Sequence, residues 1–200
     1  TLSTTKQFDA PVTVTFSTSG TAASATDFTA TGTTVVFPAL SNTVTIPIEV
    51  LADNIVESDE TVIVTMTNTS NSDVTIAASP NDHATVTITD DDVAELSIVA
   101  TTQAEEDATD GLFTISTTKQ FDAPVTVTFS TTGTATSASD FTAIGTTVVF
   151  PALSNSVTIP VEVIADDIVE SDETVIVTMT ATSNTDVTVA ASPNNAATVT

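Results

Sequence analysis

Carboxylates are the side chains of this sequence that could carry out chemistry, and they occur in clusters. Asp90, Asp91 and Asp92 are consecutive, and other acids crowd the segments 53–60 and 105–110. Neighbouring carboxylates repel one another, and a bound cation removes that repulsion. Ca²⁺ takes about six to eight oxygen ligands from carboxylates and carbonyls on adaptable loops. The clusters therefore favour a calcium site, with a solvated acidic surface as the alternative that applies to most charge runs.

Enzymatic chemistry is not expected from this composition. The chain has no Cys, a single His, His83, and two basic residues that are both Lys, so most nucleophilic and phosphoryl-transfer sites cannot be built. Paired carboxylates can hydrolyse glycosides. Sugar-binding clefts usually also present aromatic platforms, however, and the chain has neither Trp nor Tyr. We expect a protein that is not an enzyme.

The charge of the chain excludes several classes of partner. Its formal net charge is −24, and Lys6 and Lys119 are the only basic residues. Nucleic-acid binding is excluded because a phosphate backbone requires a basic surface. Anionic membranes are disfavoured for the same reason, and no apolar run approaches the ~18 residues of a spanning segment. We expect neither nucleic-acid partners nor direct membrane insertion.

The sequence consists of two near-identical copies. Residues 1–87 align with residues 114–200 without a gap, at an offset of 113, and 73 of the 87 paired positions are identical. Solenoid units run to about 20–50 residues, so this period has the size of a complete β-domain. We expect a piece of a longer tandem array: a first repeat, 1–92, that lacks its first strands, and a second repeat, 93–200, that lacks its C-terminal acidic end.

Period-two alternation of apolar residues and Thr predicts β-strands throughout. Val12, Val14 and Phe16, for example, alternate with Thr13 and Thr15, as a strand with one buried face requires. Joining the copies gives seven strands, A to G, at about 94–100, 112–118, 125–131, 146–150, 156–164, 174–180 and, in the first copy, 84–89. Seven short strands separated by turns are typical of an immunoglobulin-like antiparallel β-sandwich.

The order of the strands brings the acidic segments to one end of the domain. Successive strands of a sandwich run in opposite directions, so the A–B, C–D and E–F loops and the end of strand G share one end. These segments carry most of the acids: 105–110, Asp27 and its counterpart Asp140, 53–60 and its counterpart 166–173, and 90–92. Segments that are distant in sequence therefore deliver carboxylates to one place.

A combination of short segments then points to a family. Thr21-Ala22 precedes Asp27-Phe28, the segment 48–61 runs from Ile-Glu-Val into an acidic loop, 84–92 ends in the Asp triplet, and Glu105-Glu106 precedes Gly111. Together they make the chain resemble the Calx-beta domain, which occurs in the regulatory domains of sodium–calcium exchangers and in repeat arrays of large bacterial surface proteins. The resemblance covers essentially the whole chain.

The resemblance also implies calcium ligands, because the ligands of the family come from these segments. In the first repeat it implies Asp27, Asp53, Glu57, Asp90, Asp91 and Asp92, and in the second Glu105 or Glu106, Asp140, Asp166, Asp167 and Glu170. Asn54 stands where the second repeat has Asp167, so the first site is expected to be weaker. The expected cofactor is Ca²⁺.

The two repeats follow one another without a flexible linker. Asp90–Asp92 end the first, and strand A of the second begins at about Ala94. We expect Phe121, in the B–C loop, to be partly buried at this junction and Lys119 to lie near the acidic residues. The alternative for Phe121 is an aromatic side chain that folds onto its own repeat.

These observations favour a structural segment of a large extracellular adhesin or cell-surface fibre, made rigid by calcium at the junctions between domains. The resemblance implies a bacterial source. The expected partners are neighbouring repeats of the same chain, and lateral association into filaments stays open. A calcium-sensing regulatory module and a directly ligand-binding adhesive module are the alternatives. Near-identical neighbouring copies suit a stalk or spacer that extends the protein, whereas a sensor requires an interface that changes.

Overall fold

The computed structural model describes all residues, Thr1–Thr200, and consists of β-strands joined by turns and loops. No helix in it is long and apolar enough to cross a membrane. The strands are β1 (Leu2–Ser3), β2 (Val12–Gly20), β3 (Thr34–Phe37), β4 (Thr43–Val44), β5 (Ile55–Val56), β6 (Glu60–Thr69), β7 (His83–Ile88), β8 (Ala94–Thr102), β9 (Gly111–Thr117), β10 (Gln120–Phe121), β11 (Val125–Gly133), β12 (Thr147–Phe150), β13 (Ser156–Val161), β14 (Val175–Thr182), β15 (Val187–Val189) and β16 (Ala196–Val199).

The chain divides into two compact units. The first unit comprises Thr1–Asp53 and Ser58–Asp90, and the second comprises Asn54–Glu57 and Asp91–Thr200. Most of each unit comes from one repeat. The exception is the four-residue segment Asn54–Glu57, which belongs to the first repeat in sequence and to the second unit in structure.

The second unit has two four-stranded sheets, with strand orders β12-β11-β14-β16 and β13-β9-β8-β15. In β11, buried Val125, Val127 and Phe129 alternate with half-buried Thr126 and Thr128, so one face of the strand packs into the core. Buried residues of both sheets form one apolar cluster. The all-β fold of sandwich type is therefore confirmed.

The first unit has a four-stranded sheet, β3-β2-β6-β7, and a short pair, β1-β4. Its alternation is the same as in the second unit, because Val12, Val14 and Phe16 of β2 are buried. Val12, Val14 and Phe37 form the centre of a smaller apolar cluster, against which Phe8 and Met66 pack.

Several parts of the strand pattern differ from the sequence-based prediction, which included neither β5 nor β10. Strand E was expected to reach about residue 164, but β13 ends at Val161, where its partner β9 begins at Gly111. The sequence analysis also missed β15, three residues that pair in parallel with the start of β8. The parallel pairing gives Val187 a buried position in the core of the second unit.

Phe121 is more deeply buried than we expected. Its side chain is completely buried and packs edge-on against Phe150, with ring centroids 5.3 Å apart. Its strand β10 pairs in parallel with β5, which places Gln120 opposite Ile55 and Phe121 opposite Val56. Phe121 therefore packs against its own repeat and also lies beside a segment that comes from the other repeat.

A prediction on stability follows from Gly133, the last residue of β11. Its φ is +135°, and a Cβ atom there would lie 2.0 Å from the carbonyl oxygen of Thr174. Gly133→Ala is therefore expected to lower the free energy of unfolding of the second unit by about 2 kcal/mol. Gly145→Ala is the matched control, because Gly145 also has a positive φ, +73°, but no atom lies within 4 Å of the position that its Cβ would take. We expect this variant to lose about 1 kcal/mol of stability. Urea denaturation followed by circular dichroism measures both, and equal losses would contradict the role given to the Thr174 contact.

Candidate metal sites

A cavity of about 370 Å³ at one end of the second unit collects carboxylates from three loops. The β8–β9 loop contributes two, the β11–β12 loop one and the β13–β14 loop four: Glu105, Glu106, Asp140, Asp166, Glu170, Asp172 and Glu173. Val199 and Thr200, at the end of β16, also line the cavity. The loops that strand parity assigns to one end of the domain therefore meet there.

Backbone hydrogen bonds fix the carboxylates of this cavity in place. Asp140 Oδ2 accepts a hydrogen bond from the Thr136 N–H at 2.5 Å. Glu106 Oε1 accepts one from the Asp166 N–H at 2.8 Å, which ties the β8–β9 loop to the β13–β14 loop. Asp110, in the same β8–β9 loop, accepts a bond from the N–H of Val163 at 3.0 Å. The acidic loops are therefore held together by their own side chains.

Like charges crowd each other inside the cavity, and the pKa values show it. Partial desolvation raises the pKa of Glu170, and the charges of Asp140, Asp166 and Glu106 raise it further. The pKa of Glu173 is raised mainly because its carboxyl shares a hydrogen bond with Asp140. The pKa of Asp140 is lowered, chiefly by the hydrogen bond from the Thr136 N–H and also by the bond with Glu173. Desolvation acts to raise this pKa but is outweighed. Asp140 and Glu173 share a hydrogen bond in this crowded group, and a cation bound there would relieve the repulsion between the carboxylates.

The first repeat has a corresponding group of three carboxylates. Oxygens of Asp27, Glu57 and Glu60 lie within 4.8 Å of one another, and all three side chains are half-buried. Asp27 Oδ2 accepts a hydrogen bond from the Ala23 N–H at 2.5 Å, as Asp140 does from Thr136. Desolvation acts to raise the pKa of Asp27, but the bonds from the Ala23 N–H and from Glu60 outweigh it and lower the pKa.

Glu60 and its counterpart Glu173 are the site residues that the sequence analysis missed. It placed both in the acidic E–F segment but did not include them among the ligands that the resemblance implies. Glu60 is the first residue of β6, so its side chain is positioned by the sheet and not by the preceding loop. The available signal was that each Glu directly precedes the alternating run of the F strand.

The structure places the other predicted ligands in different surroundings. Asp92 forms an ion pair with Lys119, so Lys119 lies beside an acidic residue as expected. The backbone N–H of Asp90 donates to Asp59 Oδ1 at 3.3 Å. Asp53, Asp91 and Asp167 are exposed, and Asp167 is not part of the cavity lining of the second unit. The two carboxylate groups thus contain Asp27 and Glu57 in the first repeat, and Glu105, Glu106, Asp140, Asp166 and Glu170 in the second.

A comparison with known families identifies the chain. The sequence model of the Calx-beta domain matches residues 2–92 and 95–200. The chain belongs to the Calx-beta family. No curated protein is significantly similar to it in sequence.

Three solved structures resemble this pair of Calx-beta repeats. CBD12 from CALX1.2 is 24% identical, with a TM-score of 0.40, over 90% of this chain and 71% of that one. The calcium binding domain CBD12 of CALX1.1 is 18% identical, with a TM-score of 0.42, over 98% of this chain and 90% of that one. The apo form of the Calx CBD1 domain is 20% identical, with a TM-score of 0.43, over 54% of this chain and 96% of that one.

Both carboxylate groups of the Calx-beta repeats suit a hard cation. Their side-chain donors are all carboxylate oxygens, which is the donor type that Ca²⁺ and Mg²⁺ take. The donors come from segments that are distant in sequence, and such a set adapts more readily to the irregular coordination of Ca²⁺ than to the strict octahedron of Mg²⁺. The residues present therefore fit calcium.

Without metal, the stability of the second repeat is expected to fall as the pH rises through the raised pKa values of Glu170 and Glu173. Above the ordinary Glu value of 4.5 the folded state retains protons that the unfolded state has lost, so deprotonation favours unfolding. The lowered pKa of Asp140 acts in the opposite direction. It stabilises the fold at pH values above the ordinary Asp value of 3.8, and this stabilisation is lost as the pH falls through the lowered pKa of the folded state. Melting curves of the chelator-treated chain across acidic to neutral pH test this expectation. A double variant, Glu170→Gln and Glu173→Gln, is expected to flatten the decline above pH 4.5.

Proposed function

We propose that this chain is a structural repeat segment of a large extracellular adhesin or cell-surface fibre, in which calcium bound at the acidic end of each repeat makes the array rigid. The observation that carries the proposal is the convergence of carboxylates in both repeats. In the first, the oxygens of Asp27, Glu57 and Glu60 lie within 4.8 Å of one another. In the second, seven carboxylates line one cavity, and the pKa of Glu170 is raised by desolvation and by the charges of three neighbouring acids.

The role of calcium follows from the electrostatics of the chain. A net charge of −24 on 200 residues opposes a compact fold through self-repulsion. When bound, calcium neutralises the densest part of this charge and joins loops that are distant in sequence. The Asp140 and Glu170 carboxylates supply ligands, and the backbone bonds to Asp140 and Glu106 hold two of the loops in position beforehand.

The structural role is supported by the repeat itself. The copies differ at 14 of the 87 aligned positions, and one of these, His83 against Ala196, removes the only imidazole. A function that both copies share therefore rests on the residues they have in common, chiefly Thr, apolar residues and acids. The solvent-facing positions of β2 and β11 are mostly Thr and Ser. Such a surface suits a soluble spacer and presents no distinctive recognition site. Calx-beta domains of large bacterial surface proteins, which the sequence resembles, are the basis for placing it outside the cell.

Calorimetric titration, small-angle scattering and thermal melting of this chain, with calcium and then with excess chelator, test the proposal. We expect calcium binding in both repeats, a lower melting temperature on chelation and a change in maximum dimension as the chain becomes flexible. Stabilisation by calcium without any change in dimension would overturn the rigidifying role and leave a metal-stabilised spacer. If calcium neither binds nor stabilises, the acids are a solvated surface and the calcium assignment fails.

The location of the protein is tested separately. Antibodies raised against this chain are expected to label intact cells of the organism that produces it, and protease added outside the cells is expected to remove the label. Label that requires permeabilised cells would instead support a calcium-sensing regulatory module inside the cell.

A further inference from the structure

The pairing of β5 with β10 is a small interface built from two short sequences. Its register sets Ile55 opposite Gln120 and Val56 opposite Phe121. The N–H of Asp122 donates to the carbonyl oxygen of Val56 at 3.2 Å. Val56 and Phe121 are both completely buried, so this contact contains one apolar side chain from each segment, fully removed from water.

The sequence of β5 occurs a second time with no partner strand. Residues 55–61 and 168–174 are identical, so Ile168 and Val169 are the counterparts of Ile55 and Val56. Ile168 and Val169 are 63% and 99% exposed, whereas Val56 is 0% exposed. We call Ile168–Val169 the donor pair. Its two apolar side chains are exposed in a region that is otherwise acidic.

The sequence of β10 also occurs a second time. Residues 3–18 and 116–131 are identical, and we call Lys6–Asp9 the acceptor loop. Gln7 and Phe8 are not in a strand, whereas their counterparts Gln120 and Phe121 form β10. Phe8 remains half-buried, whereas Phe121 is completely buried.

The acceptor loop already makes two of the contacts that its paired counterpart makes. The N–H of Leu40 donates to the Phe8 carbonyl at 2.8 Å, as the N–H of Leu153 does to the Phe121 carbonyl at 2.8 Å. The ring of Phe8 packs edge-on against Phe37 with centroids 5.8 Å apart, close to the 5.3 Å between Phe121 and Phe150. Little rearrangement is therefore required before a strand adds to this loop.

Charge favours the same pairing. Lys6 and Lys119 are the only basic residues of the chain, and each stands two positions before the Phe of its loop. Lys119 pairs with Asp92, so the loop of the second unit uses its cation for an acidic partner. The donor pair is flanked by Asp166, Asp167 and Glu170. When another copy places its acceptor loop against this pair, its Lys6 meets these acidic residues.

We propose that the donor pair of one copy of this chain binds the acceptor loop of another copy, repeating the β5–β10 contact. In this pairing Val169 lies against Phe8, and the Asp9 N–H faces the Val169 carbonyl. Because the two surfaces are different and lie in different repeats, the association is head-to-tail and continues from copy to copy. It adds a second connection between repeats, made by apolar side chains and backbone hydrogen bonds.

The contact is small, so separate chains are expected to associate weakly. Two strand residues bury far less than the ~1,200 Å² of a stable complex. Repeats on one polypeptide experience an effective concentration in the millimolar range, at which a weak contact is occupied. The test must therefore reach millimolar protein.

The experiment is an NMR titration of a ¹⁵N-labelled Val169→Asp chain, which keeps its acceptor loop but has a charged donor pair. Val169 is 99% exposed, so this variant is expected to fold normally. Unlabelled wild-type chain, added to millimolar concentration, is expected to shift the amides of Lys6–Asp9. Unlabelled Val169→Asp chain, added in the same way, is expected to produce shifts at least about tenfold weaker, because it would have to bury a charge against Phe8.

Two controls keep the result specific. Val99→Asp changes another exposed Val, on β8 and 53% exposed, and as the unlabelled partner it is expected to act as wild type does. Lys6→Glu in the labelled chain is expected to weaken the shifts. The proposal is overturned if no shifts occur at millimolar concentration, if both unlabelled chains produce them equally, or if they fall outside the acceptor loop.

Discussion

Val56→Asp is expected to destabilise the second unit by about 3 kcal/mol, although Val56 lies in the first repeat. The Val56 side chain is completely buried in the apolar cluster that contains Phe121 and Phe150. A carboxylate there is either buried without a partner or forces the segment Asn54–Glu57 out of the unit, which also exposes Phe121. Either outcome costs more than the burial of one Val, about 1.5–3 kcal/mol. Hydrogen exchange of the β10 and β12 amides, with urea denaturation, measures the loss.

Val169→Asp is the control for this prediction, because it is the same substitution in an identical sequence. Val169 is 99% exposed, and surface substitutions usually change stability by no more than about 0.5 kcal/mol. At protein concentrations too low for association, we expect no measurable loss. Similar losses for the two variants would mean that the burial of Val56 contributes nothing specific, and the β5–β10 contact would lose its energetic basis. Val56→Ala is a milder change and is expected to cost about 2 kcal/mol, because it removes two buried carbon atoms.

The different environments of Val56 and Val169 could not be predicted from the sequence. Ile55–Val56 and Ile168–Val169 are followed by identical residues and preceded by Asn54 and Asp167, both polar, so the local pattern does not distinguish a strand from an exposed loop. The difference is a partner strand that one pair has and the other lacks. The strand β10 in turn depends on its pairing with β5. Of this contact, the sequence analysis predicted only a partial burial of Phe121.

The main strands were predictable because their burial is local and periodic. In β11 and β14 the first, third and fifth residues are apolar and buried, so the alternation gives both the strand and its inner face. The parallel pairing of β15 was not predictable from alternation, because three residues are too few to establish a period and the partner is 93 residues away, Val187 pairing with Ala94.

The candidate site was predictable as a location and less so as a set of ligands. Strand parity alone brings the loops with Glu106, Asp140 and Glu170 to one end, where the structure has them line one cavity. Parity does not say which acid of a loop points inward. That depends on individual bonds such as the one between Asp140 and Glu173, or on the pairing of Asp92 with Lys119.

Glu173→Gln is expected to weaken calcium binding in the second repeat about 100-fold while leaving the calcium-free fold intact. The Gln amide can donate a hydrogen bond to Asp140 in place of the bond that Glu173 shares with it, but it has no negative charge to offer a cation. At calcium 100-fold above the wild-type dissociation constant, binding stabilises the fold by about 2.7 kcal/mol. A 100-fold weaker site at the same calcium concentration contributes about 0.4 kcal/mol. Calorimetric titration and melting with and without calcium measure both quantities.

Two further variants decide whether Glu173 acts at a defined site. Glu162→Gln removes an exposed carboxylate of the same charge from outside the cavity lining, and it is expected to leave calcium binding within about twofold, since only distant screening changes. Glu60→Gln is expected to weaken calcium binding in the first repeat and to leave calcium binding in the second unchanged, because Glu60 belongs to the group with Asp27 and Glu57. If Glu162→Gln and Glu173→Gln weaken binding equally, calcium is attracted by the overall charge of the chain and not coordinated by these carboxylates. A loss confined to one repeat for each of Glu60 and Glu173 is a result that a diffuse ion atmosphere cannot produce.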